Sequence, residues 1–216
     1  CIAMVGTRQA SLYGMESAKT IAHSLTQHGF TVVSGLARGI DTSAHQGALE
    51  KGRTIAVLGS GLADIYPPEN IPLAKQIGEK GAVISEFPML TPPDRTLFPQ
   101  RNRIVSGMTL GTILIESPLK GGAMITMECA RTQGRKCFAL PGRAGQETFR
   151  GNHSLIKKGH AHLIENGEDV ASYFDDLLIY AYKSKEEKVL NHIPLDDEER
   201  NFLKNLPNEE LSIEEM

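Results

Sequence analysis

Thr112-Ile113-Leu114-Ile115-Glu116-Ser117-Pro118-Leu119-Lys120-Gly121-Gly122 is a short apolar run that breaks into a glycine-rich loop ahead of a helix-like stretch. It closes a series of similar junctions: Val5-Gly6-Thr7-Arg8, Val33-Ser34-Gly35, Leu58-Gly59-Ser60-Gly61 and Ile84-Ser85-Glu86. Near-continuous apolar runs of this length read as strands buried on both faces, as in a parallel sheet. The loops at the carboxyl ends of such strands share one rim, and ligands sit in the crevice between them. Glycines there let backbone N–H groups approach an anion, and helix N-termini add partial positive charge. With Lys120 and several arginines, the rim suits a polyanion or a nucleotide.

Outward from that loop the chain alternates strand, glycine turn and helix. Strands are expected at Ile2–Val5, Thr31–Ser34, Thr54–Leu58, Ala82–Ser85, Thr112–Glu116 and Lys136–Ala139. Helices are expected at Met15–His28, Ile40–Lys51, Ile71–Lys80, Ile104–Met108 and Thr126–Gln133, the first with Ala18, Ile21, Ala22 and Leu25 on one face. Phe87–Pro99 carries Pro88, Pro92, Pro93 and Pro99 and reads as a loop. The pattern predicts an α/β fold: an extended Rossmann-like, doubly wound, mostly parallel sheet over residues 1–174. Residues 175–216 read as a linker and a truncated helical C-terminal appendage, with too few apolar residues for a core of its own.

A chain of 216 residues is long enough to bury one full α/β core. It has no apolar run of the roughly 18 residues that a membrane span needs, and its start shows no signal-peptide pattern. Cys1, Cys129 and Cys137 form no C-x-x-C pair, which fits a reducing, cytoplasmic setting better than disulfides or zinc. The chain opens at Cys1 inside a strand-like run, so it reads as a fragment lacking its upstream part. Net charge is −3 but unevenly spread: residues 95–164 hold 11 Lys/Arg against 3 Asp/Glu, a net of +8, and residues 165–216 hold 5 against 15. A basic block that coincides with the glycine-rich rim is an electrostatic footprint for a polyanion.

The familiar nucleotide signatures are missing. No G-x-x-x-x-G-K-[ST] loop exists; Ala18-Lys19-Thr20 lies inside a helix pattern, where Lys19 is a solvated face residue. The first junction offers only Gly6 and Gly14, and Gly59-Ser60-Gly61 has Asp64 where a dinucleotide fingerprint needs its third glycine. Asp41 and His45, at i and i+4, form either an acid–base pair or a helix-start carboxylate beside a packed histidine. Glu86 and Glu116 end strands and suit either general-base work or the orientation of rim arginines. The histidines show no metal-ligand spacing, so no metal and no cofactor are expected.

Taken in order, these stretches resemble the DprA (Smf) family of DNA-processing proteins of bacterial natural transformation. The resemblance runs through Val5-Gly6-Thr7-Arg8, Ser34-Gly35-Leu36-Ala37-Arg38-Gly39-Ile40-Asp41 with His45, Leu58-Gly59-Ser60-Gly61 with Tyr66-Pro67, and Phe98-Pro99-Gln100-Arg101-Asn102-Arg103. It continues through Lys120-Gly121-Gly122 with Thr126, Pro141-Gly142 and Gly151-Asn152. It implies an extended Rossmann domain that binds single-stranded DNA, protects incoming DNA, forms homodimers and helps load the recombinase RecA, without being an enzyme. The tail would correspond to a truncated winged-helix-like domain. The site it implies comprises Ser34, Gly35, Arg38, Gly61, Arg101, Asn102, Arg103, Lys120, Gly121, Thr126 and Asn152.

Within that set, Arg38, Arg101, Arg103 and Lys120 are candidates to pair with phosphates, and Ser34, Thr126 and Asn152 are neutral donors. Two roles are open to Phe98, stacking on a base or anchoring its loop. Arg103 has an alternative too, an ion pair with Glu86 or Glu116 that supports the pocket from behind. The chain departs from the family at Gly121 and Ala123, where Ser is common; backbone N–H groups remain to cradle phosphate. The rival reading is a phosphoribohydrolase-like nucleotide enzyme on the same frame. Its P-G-G-x-G-T-x-x-E loop corresponds to Lys120–Glu128, which lacks the second Gly-Thr and misplaces the carboxylate.

Overall fold

The computed structural model describes residues 1–175 and residue 201, and the expected C-terminal appendage lies almost wholly outside them. Residues Cys1–Tyr173 form one compact unit. Its strands are β1 (Ile2–Val5), β2 (Val32–Ser34), β3 (Thr54–Val57), β4 (Ala82–Ile84), β5 (Gly111–Leu114), β6 (Lys136–Ala139) and β7 (His162–Leu163). Its helices are α1 (Leu12–Gln27), α2 (Ile40–Lys51), α3 (Ile71–Lys80), α4 (Leu97–Gly107), α5 (Gly122–Thr132), α6 (Arg150–Lys157) and α7 (Gly167–Ser172).

The strands make a single sheet in the order β4-β3-β2-β1-β5-β6-β7. Every described pairing is parallel, with Ile2 opposite both Val32 and Gly111 at the centre. The fold is α/β and Rossmann-like, and the order reverses between β1 and β5. Chain direction therefore diverges there, and the loops after those two strands part to leave a crevice. All four residues of β1 and of β5 are buried, which is why both read as apolar runs and not as alternating ones.

Each face of the sheet has its own core. Leu36, Leu49, Leu58, Leu73 and Ile77 pack together where α2 and α3 cover the sheet. On the opposite face Val33, Val57, Val105, Leu114 and Met127 pack under α4 and α5. Each large aliphatic side chain so buried contributes about 1.5–3 kcal/mol. The packing of α1 on α2 depends on Gly47, where an added Cβ would run into the backbone of Lys19.

The structure shifts several expected boundaries. Helix α1 starts at Leu12 because Ser11 caps it, its side chain accepting from the Gly14 N–H at 3.1 Å. Helix α4 begins at Leu97, inside the stretch read as a proline loop. Pro99 occupies its first turn, where a missing N–H costs nothing. Helix α5 begins at Gly122, not Thr126, so Gly121 is its N-cap and the glycine loop leads straight into a helix start. Strand β5 ends at Leu114; the Ile115 N–H still donates to the Val5 carbonyl at 3.0 Å, and the chain bends at Glu116. The sequence reading stopped at β6, whereas β7 extends the sheet beyond it, α6 packs on β6 and α7 packs on α1.

Candidate nucleic-acid interface

The crevice at the topological switch has a volume of about 600 Å³ and lies between the β1–α1 loop and the start of α5. Its charged lining is Arg8, Arg95, Arg101 and Lys120 against one carboxylate, Asp41. Arg8, Arg95 and Lys120 are exposed, and none of the three is held in a salt bridge among the described residues. Helix α5 opens into the same space: no side chain caps it and no acidic residue occupies its first turn. Its partial positive charge thus adds to that of Lys120.

Below the rim lies a buried polar floor. Arg101 is 5% exposed and donates to the Gly35 carbonyl at 2.7 Å and to the Val57 carbonyl. Asp41 accepts from the Gly35 N–H at 3.1 Å and the Ala37 N–H at 3.3 Å. Burial pushes Arg101 down to about 10, Asp41 pulling it up and Arg8 pushing it further down, so it stays charged at neutral pH. Burial drives the Asp41 carboxyl upward against the pull of Arg101 and the two amides. Arg101 ties the ends of β2 and β3 to α4; it lines the crevice as a strut under the floor, not as the free phosphate donor expected.

The structure corrects other expected roles in the same way. Ser34 is fully buried and its hydroxyl donates to the Met4 carbonyl at 2.7 Å, spanning β2 and β1. Asn152 is also fully buried. It accepts from the Ser117 N–H at 2.9 Å and donates to the carbonyls of Leu114, Ile115 and Leu140, so no polar atom is left for DNA. Gly61 is absent from the crevice: its N–H donates to the Thr91 carbonyl, and a Cβ there would strike the backbone of Pro88 and Met89. Arg103 pairs with Glu86, the alternative that the sequence left open, and does not line the crevice. Arg38 pairs with Glu69 through two of its nitrogens and borders an adjoining cleft.

Gly35, Asn102, Lys120, Gly121 and Thr126 do line the crevice, Thr126 nearly buried beneath the first turn of α5. His45, considered with Asp41 as an acid–base pair, is fully buried and lies off the crevice. Thr54 donates its hydroxyl to the Val32 carbonyl, so His45 must donate from Nδ1 to Thr54 at 2.7 Å, leaving Nε2 bare. Burial and the nearby Arg101 push its pKa down to about 3, and the ring is neutral. Glu116 is buried, accepting from the Ser11 hydroxyl at 2.8 Å and the Ser11 N–H at 3.0 Å at the start of α1. Glu128, the carboxylate the rival enzyme reading needs, is paired with Arg131 and is not part of the crevice.

Arg8 and Arg95 were missed as site residues. Arg8 sits in the first of the quoted junctions, so its position on the rim was available. Arg95 lies among prolines, and only its place in the basic block pointed to it. No helix among the described residues is long and apolar enough to cross a membrane.

A family model for DNA recombination-mediator protein A matches residues 1–175. The chain belongs to the DNA recombination-mediator protein A family. It is 44% identical over 171 residues to the Smf protein of Escherichia coli K12, an alignment covering 78% of this chain and 46% of that protein. It is 41% identical over 175 residues to the DNA processing protein DprA of Streptococcus pneumoniae R6, covering 81% and 61%. The chain thus spans about half the length of the curated relatives it matches.

Two solved structures of the family superpose with a TM-score of 0.74. The S. pneumoniae DprA structure is 40% identical and covers 79% of this chain and 60% of that one. The DNA processing protein A of Helicobacter pylori, whose structure concerns its single-stranded DNA binding mode, is 30% identical and covers 81% and 80%. The molybdenum cofactor carrier protein of Chlamydomonas reinhardtii, at 18% identity and a TM-score of 0.52, shares the fold alone.

Proposed function

We propose that this chain binds single-stranded DNA by its phosphate backbone in the switch-point crevice, without hydrolysing it, as part of DNA processing in transformation. The observation that carries the reading is the lining: three exposed cations, Arg8, Arg95 and Lys120, converge with an uncapped helix start on a space whose one carboxylate among the described residues, Asp41, is buried. Such a surface holds anions through Lys and Arg charge and through backbone N–H groups. Among the described residues it offers no paired carboxylates and no histidine for acid–base work. In the whole protein the same activity would protect incoming DNA in the cytoplasm and help load the recombinase RecA. Homodimerisation belongs to that reading, as does a residue 1–174 DNA-binding domain followed by a winged-helix-like segment.

Titration of a labelled dT oligomer at two salt concentrations tests it. Binding that weakens as salt rises is the expected result. Salt-indifferent binding, or none, would overturn it. Release of a free base from a nucleoside monophosphate would instead establish the phosphoribohydrolase reading.

A further inference from the structure

In the loops after β1, β2 and β4, backbone donors are taken by a carboxyl-bearing residue of the chain itself. At the first, Glu116 reaches over from beyond β5. Its main-chain carbonyl accepts from the Thr7 N–H at 2.8 Å, and its carboxylate accepts from the N–H and the hydroxyl of Ser11, the cap of α1. At the second, Asp41 in the first turn of α2 accepts from the Gly35 and Ala37 N–H groups. At the third, Asp94 accepts from the N–H of Thr96, the cap of α4, at 2.8 Å. The loop after β5 differs. The N–H groups of Lys120, Gly121, Gly122 and Ala123 have no acceptor among the described residues.

Asp41 and Glu116 fill space as well as taking donors. A Cβ on Gly14, in the first turn of α1, would run into the Glu116 carboxylate, and one on Gly35 would strike both Asp41 and the Arg101 guanidinium. Glu116 is fully buried, and its second oxygen, Oε1, has no hydrogen-bond partner. Capping Ser11 uses one oxygen only. The other is buried bare, at a cost in free energy that capping does not explain.

The turn after the first strand and the helix starts at a topological switch are where sheets of this class hold the pyrophosphate of a nucleotide. We propose that Asp41 and Glu116 are specificity residues, resident anions that stand in the place of a pyrophosphate and so exclude free nucleotides. Adjacent phosphates concentrate charge on a few donors, whereas a single strand spreads its charge one phosphate per nucleotide. The start of α5 has no resident anion and takes one phosphodiester, while Arg8 and Arg95 meet its neighbours along the strand. Nucleoside di- and triphosphates then do not compete with the polymer. This inference rests on the single-stranded DNA reading above.

The test sets inorganic pyrophosphate and ADP against labelled oligo-dT on the 216-residue chain. Neither should displace oligo-dT from the unaltered chain more than chloride of the same ionic strength does. Asp41→Asn and Glu116→Gln, made separately, remove the acid with almost no change of shape. Each should make pyrophosphate a better competitor by about tenfold, the scale of one charge-assisted contact. A gain in either variant supports the residue changed. Pyrophosphate no better than chloride in both variants would show that the two acids serve the fold alone, and would overturn the proposal. Displacement of oligo-dT from the unaltered chain by pyrophosphate would overturn it too, while leaving the backbone grip standing. Failure of oligo-dT to bind would overturn the grip and the proposal with it. The measurement on the unaltered chain needs no variant to fold.

Discussion

Asn152 and His45 show how a polar side chain near a binding site can serve the fold alone. Asn152 uses its amide on one N–H and three carbonyls, so it holds the ends of β5 and β6 to α6. Asn152→Leu should lower the free energy of unfolding by about 3 kcal/mol, since it orphans more than one buried group at about 1–3 kcal/mol each; urea denaturation measures this. His45 has a pKa of about 3 when folded against about 6.5 unfolded. Between those values the unfolded chain binds the extra proton, so this contribution is complete above about pH 6.5 and is lost as pH falls toward 3. Asp41, one helical turn earlier and pushed upward by burial, acts in the opposite sense. The difference between the unaltered chain and His45→Gln isolates the histidine: the loss of stability between pH 7 and pH 5 should be smaller in the variant. A histidine ring NMR signal that titrates near pH 6.5 and is removed by His45→Gln would contradict the assignment.

At the scale of the element, α5 matters most. It starts at Gly122, with Gly121 as cap and no acid in its first turn, although an acid there would stabilise an isolated helix. That omission makes sense if the helix start must stay open to an anion. Gly122 is exposed, has no special backbone angle, and a Cβ there would meet nothing within 4 Å. Gly122→Asp should therefore raise stability by about 0.3–1 kcal/mol through the helix dipole, while oligo-dT affinity falls by like-charge repulsion. Thermal unfolding and fluorescence anisotropy of one preparation check both signs. If affinity does not fall, α5 is not part of the grip.

For the whole molecule, net charge misleads. A chain of net −3 gathers a basic block of +8 across residues 95–164, and the switch between β1 and β5 brings part of it beside Arg8. If Arg8, Arg95 and Lys120 each neutralise a phosphate, log K against log salt should have a slope of about −2, each phosphate of a single strand contributing about −0.7. Lys120→Ala should make that slope shallower by about 0.7 and weaken binding by about 1.5–3 kcal/mol. An unchanged slope would remove Lys120 from the phosphate contacts.

The strands β1 to β6, the α/β class and the glycine rim could be read from local pattern, because buried parallel strands impose a continuous apolar run whatever surrounds them; the two exposed residues of β7 carry no such run. Lys120 and Gly121 were legible for the same reason: a loop after a strand in such a sheet has only one place to go. What a side chain does there was not legible. Arg38, Arg101 and Lys120 are equivalent as letters, yet one is neutralised by Glu69, one is buried under the floor, and one is exposed with no salt bridge among the described residues. Ser34 and Asn152 look like donors until the carbonyls they satisfy come from distant strands. The start of α4 was hidden because a proline in a first turn and a proline in a loop look alike in sequence. Sequence by itself determined the frame and its rim, since periodicity and glycine act over a few residues. Only the tertiary structure decided which charges are free and which are already paired, since partners come from segments tens of residues apart and burial depends on all of them at once.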